Sequence, residues 1–143
     1  MKRACTRVTV VLDNEAVQAL ASVHHAKHRE MIAKLLAVRQ VHDTVGAAQV
    51  LTTTAVRVEA GGSRRPASST ALGRFRVRDV PLDPDRAERC IELVLRAGAT
   101  AVDATVAEVS ASQAGNRLVT VYTADVQDLT RLVLPSTGRA GQR

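Results

Sequence analysis

Four acidic side chains are placed where they could do chemistry together: Asp13, Glu59, Asp103 and Asp125. Asp13 comes directly after the apolar run Val8 to Leu12, and Asp125 comes shortly after the run Leu118 to Tyr122. Both runs are typical of strands, and in a parallel sheet the carboxyl ends of the strands meet at one edge. Glu59 and Asp103 have small or apolar neighbours in sequence, so we do not expect either on a fully solvated helix face. We therefore expect the four carboxylates to converge.

A cluster of four carboxylates favours a divalent cation. Two carboxylates about 4 Å apart repel each other by roughly 1 kcal/mol in water, and by about 4 kcal/mol at an effective dielectric constant of about 20. Because the set contains neither His nor Cys, its hard oxygen ligands favour Mg²⁺ or Mn²⁺ over Zn²⁺. A metal ion in such a site activates a water molecule and neutralises charge on a phosphate. The chemistry that this set predicts is phosphodiester hydrolysis.

Alternating strand and helix patterns predict the frame that positions these acids. The predicted strands are Val8 to Leu12, Ala48 to Leu51, Val77 to Val80 and Leu118 to Tyr122. Four helices are predicted with both ends: Glu15 to Ser22, Lys27 to Gln40, Pro84 to Gly98, and Ala101 to Ala114. A further helix is predicted to be capped by Thr52 to Thr54 and to run through Glu59. A last helix is predicted to carry Val126, Leu129 and Val133. This order indicates the α/β class: a three-layer α/β/α sandwich with a central, mostly parallel sheet of four to five strands.

Two buried helix stripes are predicted from the spacing of apolar residues. In the second helix the stripe is Ile32, Leu35 and Leu36. In the helix that begins at Pro84 it is Ala87, Ile91, Val94 and Leu95. Gly61 and Gly62 are expected to end the helix that carries Glu59, which leaves residues 61–70 as a mobile loop or a weakly formed helix entrance.

The chain is strongly basic, with 20 Lys and Arg against 14 Asp and Glu, a formal charge of +6 and a pI of about 10.3. That balance favours a polyanionic partner such as RNA. Five arginines after the Glu59 helix are expected either to contact RNA phosphates or to lie on a solvated face: Arg64, Arg65, Arg74, Arg76 and Arg78. Because Phe75 and Tyr122 are the only aromatic residues, oligonucleotide-binding folds and RNA-recognition sheets, which stack bases on rows of rings, are unlikely classes.

The length of 143 residues fits one domain, which we expect over residues 1–134 with a disordered tail over 135–143. No window reaches the roughly 18 apolar residues of a membrane span, and no secretory signal pattern precedes the first strand. These features favour a cytoplasmic protein without a membrane partner. Cys5 and Cys90 have no nearby metal-binding partners in sequence and are expected to be free thiols.

The four acids and their settings resemble the PIN-domain family, specifically toxin ribonucleases of the VapC type. The segments that carry the resemblance, which spans residues 7–134, are Val10 to Asp13, Thr54 to Glu59, Val102 to Ala104 and Val121 to Asp125. It implies a PIN-like fold and a metal-dependent endoribonuclease that cuts single-stranded RNA, with the four acids as catalytic metal ligands. It also implies that Thr123 supplies a hydroxyl beside the last acid, that an antitoxin is the cognate partner, and that the protein is a homodimer. The basic segment 61–70 departs from many members of the family.

Other readings of the same residues are weaker. A catalytically silent PIN-like module that only binds RNA or protein is the main alternative. A phosphatase using Asp13 and Glu15 would require a Gly-Thr turn where the chain has Ala16 and Val17, and a receiver domain would require a lysine after a late strand. Glu15 and Asp128 are second-tier ligand candidates, since an acid at a helix start also favours the helix dipole.

Three histidines near the second helix, His24, His25 and His28, include a pair with the HxxxH spacing of a metal site. No glutamate follows the first of them as it does in zinc peptidases. A solvated helix start is therefore the favoured interpretation.

Overall fold

A parallel sheet forms the centre of the structure, a computed structural model that describes residues 7–114 and 117–122. Its strands are β1 (Arg7–Leu12), β2 (Ala48–Thr53), β3 (Arg78–Val80) and β4 (Arg117–Tyr122). The helices are α1 (Asn14–Ala21), α2 (His28–Val45), α3 (Thr54–Arg74), α4 (Pro84–Ala97) and α5 (Ala101–Gln113). All four predicted strands are confirmed, with ends that differ by one or two residues.

The described strands lie in the order β3-β2-β1-β4, and every neighbouring pair is parallel. Val11 pairs with Leu51, and Leu12 pairs with Tyr122, so these three strands end at a common edge. The predicted α/β class with a parallel sheet is confirmed. The three-layer arrangement and the strand count of the whole chain stay predictions.

Strand β1 is buried: β2 and β4 pair with its two edges, and α1 and α5 also contact it. Val10, Val11 and Leu12 are at most 1% exposed. In α2 the buried residues are Met31, Leu35 and Val38, spaced four and three positions apart as one helix face requires. The predicted stripe is confirmed for Leu35, which is buried, and for Ile32, which packs against the core. It is wrong for Leu36, which is 46% exposed because it lies about 100° around the helix from Leu35.

Helix α3 begins one residue after β2, because the Thr53 hydroxyl accepts a hydrogen bond from the Val56 backbone and caps the helix. The helix continues through Gly61 and Gly62 to Arg74. The predicted helix end at these glycines is therefore wrong, and of the two alternatives for residues 61–70 the loop is wrong, because the segment is helical. Buried Val56 and Leu72 anchor the two ends of the helix in the core, and such packing outweighs a penalty of about 1 kcal/mol per glycine.

Helix α4 has the predicted ends, with an Asp83 cap, proline in its first turn and left-handed Gly98 at its end. Its predicted buried stripe is wrong, because Ile91 is 51% and Leu95 81% exposed. Instead the buried residue is Cys90, and Leu93 packs against the core. The face shifts because α4 packs on α5 rather than directly on the sheet.

Three predicted features lie outside the described residues: the turn at Gly115 and Asn116, the helix carrying Val126, Leu129 and Val133, and the tail over residues 135–143. Within residues 7–114 and 117–122, no helix combines the length and the apolar character needed to span a membrane.

Candidate metal site at the carboxyl ends of the strands

Asp13 is the first residue after β1 and is 6% exposed. Its Oδ1 accepts a hydrogen bond of 2.8 Å from the Ala16 backbone N–H, which makes it the N-cap of α1. A carboxylate at a helix N-terminus is stabilised by unpaired N–H groups and by the helix dipole. The sequence thus fixes a buried carboxylate at the end of the central strand.

Asn14 connects this position to Glu59. Its side-chain amide donates a hydrogen bond of 2.5 Å to Glu59 Oε1, across from α1 to α3. The Asn14 carbonyl oxygen in turn accepts a hydrogen bond from Gln18 one helical turn later. Glu59 itself is exposed, so the expectation that apolar neighbours would shield it is wrong: the buried face of α3 carries Val56 and Ala60 instead.

Asp103 lies in the first turn of α5 and is half-buried. Its backbone N–H donates to the Thr100 hydroxyl, the N-cap of that helix. Two residues later, the Thr105 hydroxyl lies 2.9 Å from the Thr53 hydroxyl at the end of β2. This buried contact ties the first turns of α5 to the carboxyl end of β2.

Asp125 and Thr123 lie outside the described residues, as does Asp128. Strand β4 ends at Tyr122, beside Leu12 of β1. Among the residues that the structure describes, no three His, Cys, Asp or Glu side chains form a group that could hold a metal ion. Asp13, Glu59 and Asp103 therefore do not make such a group by themselves. Their donor atoms are all hard oxygens, a chemistry that suits Mg²⁺ or Mn²⁺.

Glu15 and the histidines fix the joint between α1 and α2. His25 Nε2 lies 2.6 Å from Glu15 Oε1. His28 Nδ1 lies 2.7 Å from the carbonyl oxygen of Ala19. These contacts engage two of the three histidines, and their HxxxH spacing forms no metal-binding group within the described residues.

Glu108 is a buried acid that was not predicted from the sequence. It is 5% exposed in α5, and its two carboxylate oxygens accept hydrogen bonds from Arg86 at 2.7 Å and Arg89 at 2.8 Å. The hydrogen bond to Glu108 raises the pKa of Arg89 above its usual value, and burial raises the pKa of the neighbouring Cys90 thiol. The signal in the sequence was a pair of arginines three positions apart on α4.

The predicted arginine cluster is described in part. The side chains of Arg64 and Arg65 lie outside the description. The Arg74 guanidinium carbon lies 5.2 Å from the centre of the Phe75 ring, and Arg76 and Arg78 are exposed beside β3. Arg74 and Arg76 lie just before β3 and Arg78 is its first residue, so all three are away from the carboxyl ends of the strands.

Comparisons with known proteins give a likeness in fold. No protein-family profile and no curated protein sequence matches the chain. A solved structure that matches is that of Mycobacterium tuberculosis VapC20, described as a Sarcin-Ricin loop cleaving toxin. The two chains have a TM-score of 0.56 and 18% sequence identity, over 82% of this chain and 92% of the other. At that identity the likeness concerns the fold alone.

Proposed function

We propose that this protein is a Mg²⁺- or Mn²⁺-dependent endoribonuclease that hydrolyses single-stranded RNA, and that it is the toxin of a type II toxin-antitoxin pair. The observation that carries the proposal is buried Asp13 at the end of the central strand, with Glu59 hydrogen-bonded to the adjacent Asn14. The fold shared with an RNA-cleaving toxin supports it. So does the formal charge of +6, which attracts a polyanion.

The proposed metal ligands are Asp13, Glu59, Asp103 and Asp125, with Thr123 contributing a hydroxyl beside the last of them. The parallel pairing of β4 with β1 supports the inclusion of Asp125, because β4 ends with Tyr122 at the same edge of the sheet as Asp13. When bound, Mg²⁺ or Mn²⁺ would supply an activated water and neutralise charge on the scissile phosphate.

The chain's own residues set the positions of the carboxylates. The Ala16 N–H holds one oxygen of Asp13, which limits that side chain to one orientation. Asn14 is a positioning residue, because its side-chain amide donates a hydrogen bond to the Glu59 carboxylate. A carboxylate held in this way can accept a proton from the attacking water during hydrolysis.

Replacing Asp13 by Asn should lower RNA cleavage by about 100-fold or more, because it removes a ligand charge and a proton acceptor. The fold should persist, since Asn also caps helix N-termini well. Asp103→Asn should behave similarly. Cleavage of a labelled single-stranded RNA in Mn²⁺ measures both effects. The matched control is Asp85→Asn, which removes an exposed acid from the first turn of α4. Full activity of Asp13→Asn and Asp103→Asn would contradict the assignment.

Chelation should abolish cleavage while RNA binding largely persists, because phosphate contacts by arginine need no metal. Gel analysis of cleavage and fluorescence anisotropy of binding, each with and without chelator, check this. Cleavage at an equal rate in chelator would contradict metal dependence. Binding without cleavage in every metal tested would favour the silent PIN-like module instead.

We also propose a cognate antitoxin and a second copy of the chain as protein partners. Exposed Ile91 and Leu95 on α4 support a protein contact, since neighbouring apolar side chains on a surface mark interfaces. Expression of the chain alone should arrest growth, and a small protein encoded beside it should restore growth. Analytical ultracentrifugation checks for the dimer. Harmless expression would count against the toxin proposal.

A further inference from the structure

A cavity of about 270 Å³ lies at the amino end of β2, the end opposite to Asp13. We call it the β2 notch. Its floor is formed by buried Leu35, Val50 and Phe75, and its rim by Arg39, Arg76 and Arg78. It shares none of these residues with the proposed metal site.

The notch exists because β3 is shorter than β2. Strand β3 pairs only with residues Leu51 to Thr53, whereas β2 begins at Ala48. Within residues 7–114 and 117–122, the backbone of β2 before Leu51 therefore has no strand neighbour on its β3 side. On this side of β2 the Ala48 carbonyl oxygen lies 3.0 Å from His42 Nδ1, so side chains rather than a neighbouring strand border the notch here.

The rim of the notch is positively charged and lightly engaged. Arg39 donates to the Arg74 carbonyl at 3.3 Å and Arg78 to the Gln49 side chain at 3.5 Å, both long hydrogen bonds. Each guanidinium carries five N–H donors, so most remain available. Among the described residues, none of the three rim arginines forms an ion pair. Asp43 is the acid that lines the notch, so the local charge stays positive.

Arg76 has a backbone conformation that L residues rarely adopt, with φ at 53°. That left-handed region costs a non-glycine residue stability, and such residues concentrate at binding sites. Glycine would fit here without strain. The left-handed conformation closes the end of α3, with the Val77 N–H bonded to the Leu72 carbonyl oxygen, and glycine is the most common residue at such a position.

We propose that the β2 notch binds one nucleotide, with the phosphate on Arg39, Arg76 and Arg78 and the base against the apolar floor. Arginine pairs with phosphate oxygens through two parallel N–H donors, and its planar face also stacks on bases. An inorganic anion would leave the apolar floor uncovered. The small concave volume and the three arginines that line it favour a nucleotide over an extended peptide. This site is separate from the proposed ribonuclease activity and does not depend on it.

Isothermal titration of the wild-type chain in chelator tests the proposal, because binding is then measured without cleavage. Nucleoside monophosphates should bind saturably, and more tightly than the matching nucleosides or inorganic phosphate. Arg39→Gln and Arg78→Gln should each weaken binding about tenfold, as expected for a hydrogen bond to a charged group. The matched control is Arg29→Gln, an exposed arginine at the start of α2, which should bind like the wild type. Absence of saturable binding, equal binding of phosphate and nucleotide, or no loss in the two variants would overturn the proposal.

Arg76→Gly separates binding from structure. It should raise the midpoint of urea unfolding because it relieves the left-handed strain, and it should weaken nucleotide binding because it removes a rim cation. If Arg76 had only a structural role, its substitution would change the unfolding midpoint and the nucleotide affinity in the same direction. Unchanged nucleotide affinity in a stabilised Arg76→Gly protein would remove Arg76 from the site.

The bound nucleotide could be a free monophosphate or one unit of an RNA strand. Competition by a short single-stranded RNA in chelator assigns it to the strand, and a lack of competition assigns it to the free nucleotide. Asp13→Asn leaves the notch unchanged, so this variant should lose cleavage and retain nucleotide binding. Retained cleavage would count against the nuclease proposal, and absent nucleotide binding would count against this one.

Discussion

Glu108 illustrates how one buried charge organises its surroundings. A carboxylate that is 5% exposed loses most of its hydration, at a cost of several kcal/mol unless charged partners replace the water. Arg86 and Arg89 each donate to a different oxygen of the carboxylate, so the charge is balanced and both oxygens are satisfied. The trio fastens α4, which otherwise has few buried side chains, to α5.

Glu108→Gln should lower the free energy of unfolding by about 2–3 kcal/mol, because the buried charge that satisfies two arginines is lost. Arg89 is 54% exposed, so it can recover hydration, which keeps the loss below that of a fully buried pair. Urea denaturation measures the change. Glu92→Gln, an exposed acid of α4, is the control and should lie within about 0.5 kcal/mol of the wild type. An equal loss in the two variants would show that Glu108 has no special role.

Single residues were predictable from sequence where their position depends on the adjacent chain. Asp13 follows an apolar strand directly, and its location at the edge of the sheet is determined by that strand. Glu108 was missed because its partners lie 22 and 19 positions away in the sequence. Such contacts depend on how two helices pack, which a one-dimensional pattern does not contain. The exposure of Glu59 was missed for the same reason.

At the scale of elements, the predicted end of α4 at Gly98 is confirmed, whereas the predicted end of α2 at Gln40 is wrong, because α2 runs to Val45. Gly46 and Gly98 each end a helix with a positive φ, the conformation that glycine adopts without penalty. Gly61 and Gly62 instead lie inside α3, because a glycine interrupts a helix only when nothing else holds the chain. Here buried Leu72 holds the far end of the helix. Composition alone therefore misplaced the end of α3.

Two glycine-to-alanine changes should have opposite effects on stability. An added methyl group meets nothing within 4 Å at either Gly73 or Gly98, so sterics with neighbours play no part. Gly73→Ala in α3 should raise the free energy of unfolding by about 0.5 kcal/mol through helix propensity. Gly98→Ala should lower it by about 1 kcal/mol, because its φ is 66°. Urea denaturation of both variants checks this, and a shift of the same sign in both would contradict the backbone argument.

The wrong helix stripes share one physical cause. Apolar spacing tells which residues of a helix lie on one face, and it does not tell which neighbouring element covers that face. In α4 the covered side carries Cys90 and Leu93, while Ile91 and Leu95 remain exposed. The parallel sheet was easier to predict, since a buried strand such as β1 is apolar on both faces.

At the scale of the molecule, two groups of charged residues lie at opposite ends of the described sheet. Acidic Asp13 and Glu59 lie near the carboxyl ends of the strands, while Arg39, Arg76 and Arg78 surround the opposite end of β2. The formal charge of +6 attracts a polyanion at long range, although the edge that carries Asp13 and Glu59 is acidic. On the proposed function, a strand of RNA would be attracted by one end of the molecule and cut at the other.

Affinity for single-stranded RNA should fall as salt rises, with a slope of log K against log salt of about −0.7 for each phosphate contacted. Fluorescence anisotropy in chelator, over a series of KCl concentrations, measures the slope. An oligonucleotide with an uncharged methylphosphonate backbone is the control and should show almost no salt dependence. Salt-independent binding of the charged RNA would contradict an electrostatic role for the arginines.

Helix α3 joins these two ends as a single continuous rod, with Glu59 in its second turn and Phe75 as its C-cap. At about 1.5 Å of rise per residue, the rod separates Glu59 from Phe75 by about 24 Å. If one RNA molecule occupies both the acidic edge and the β2 notch, the length of α3 sets the distance between its two points of contact. Oligonucleotides too short to cover that span would occupy only one end at a time. The length of α3 would then determine the minimum length of a substrate that occupies both ends.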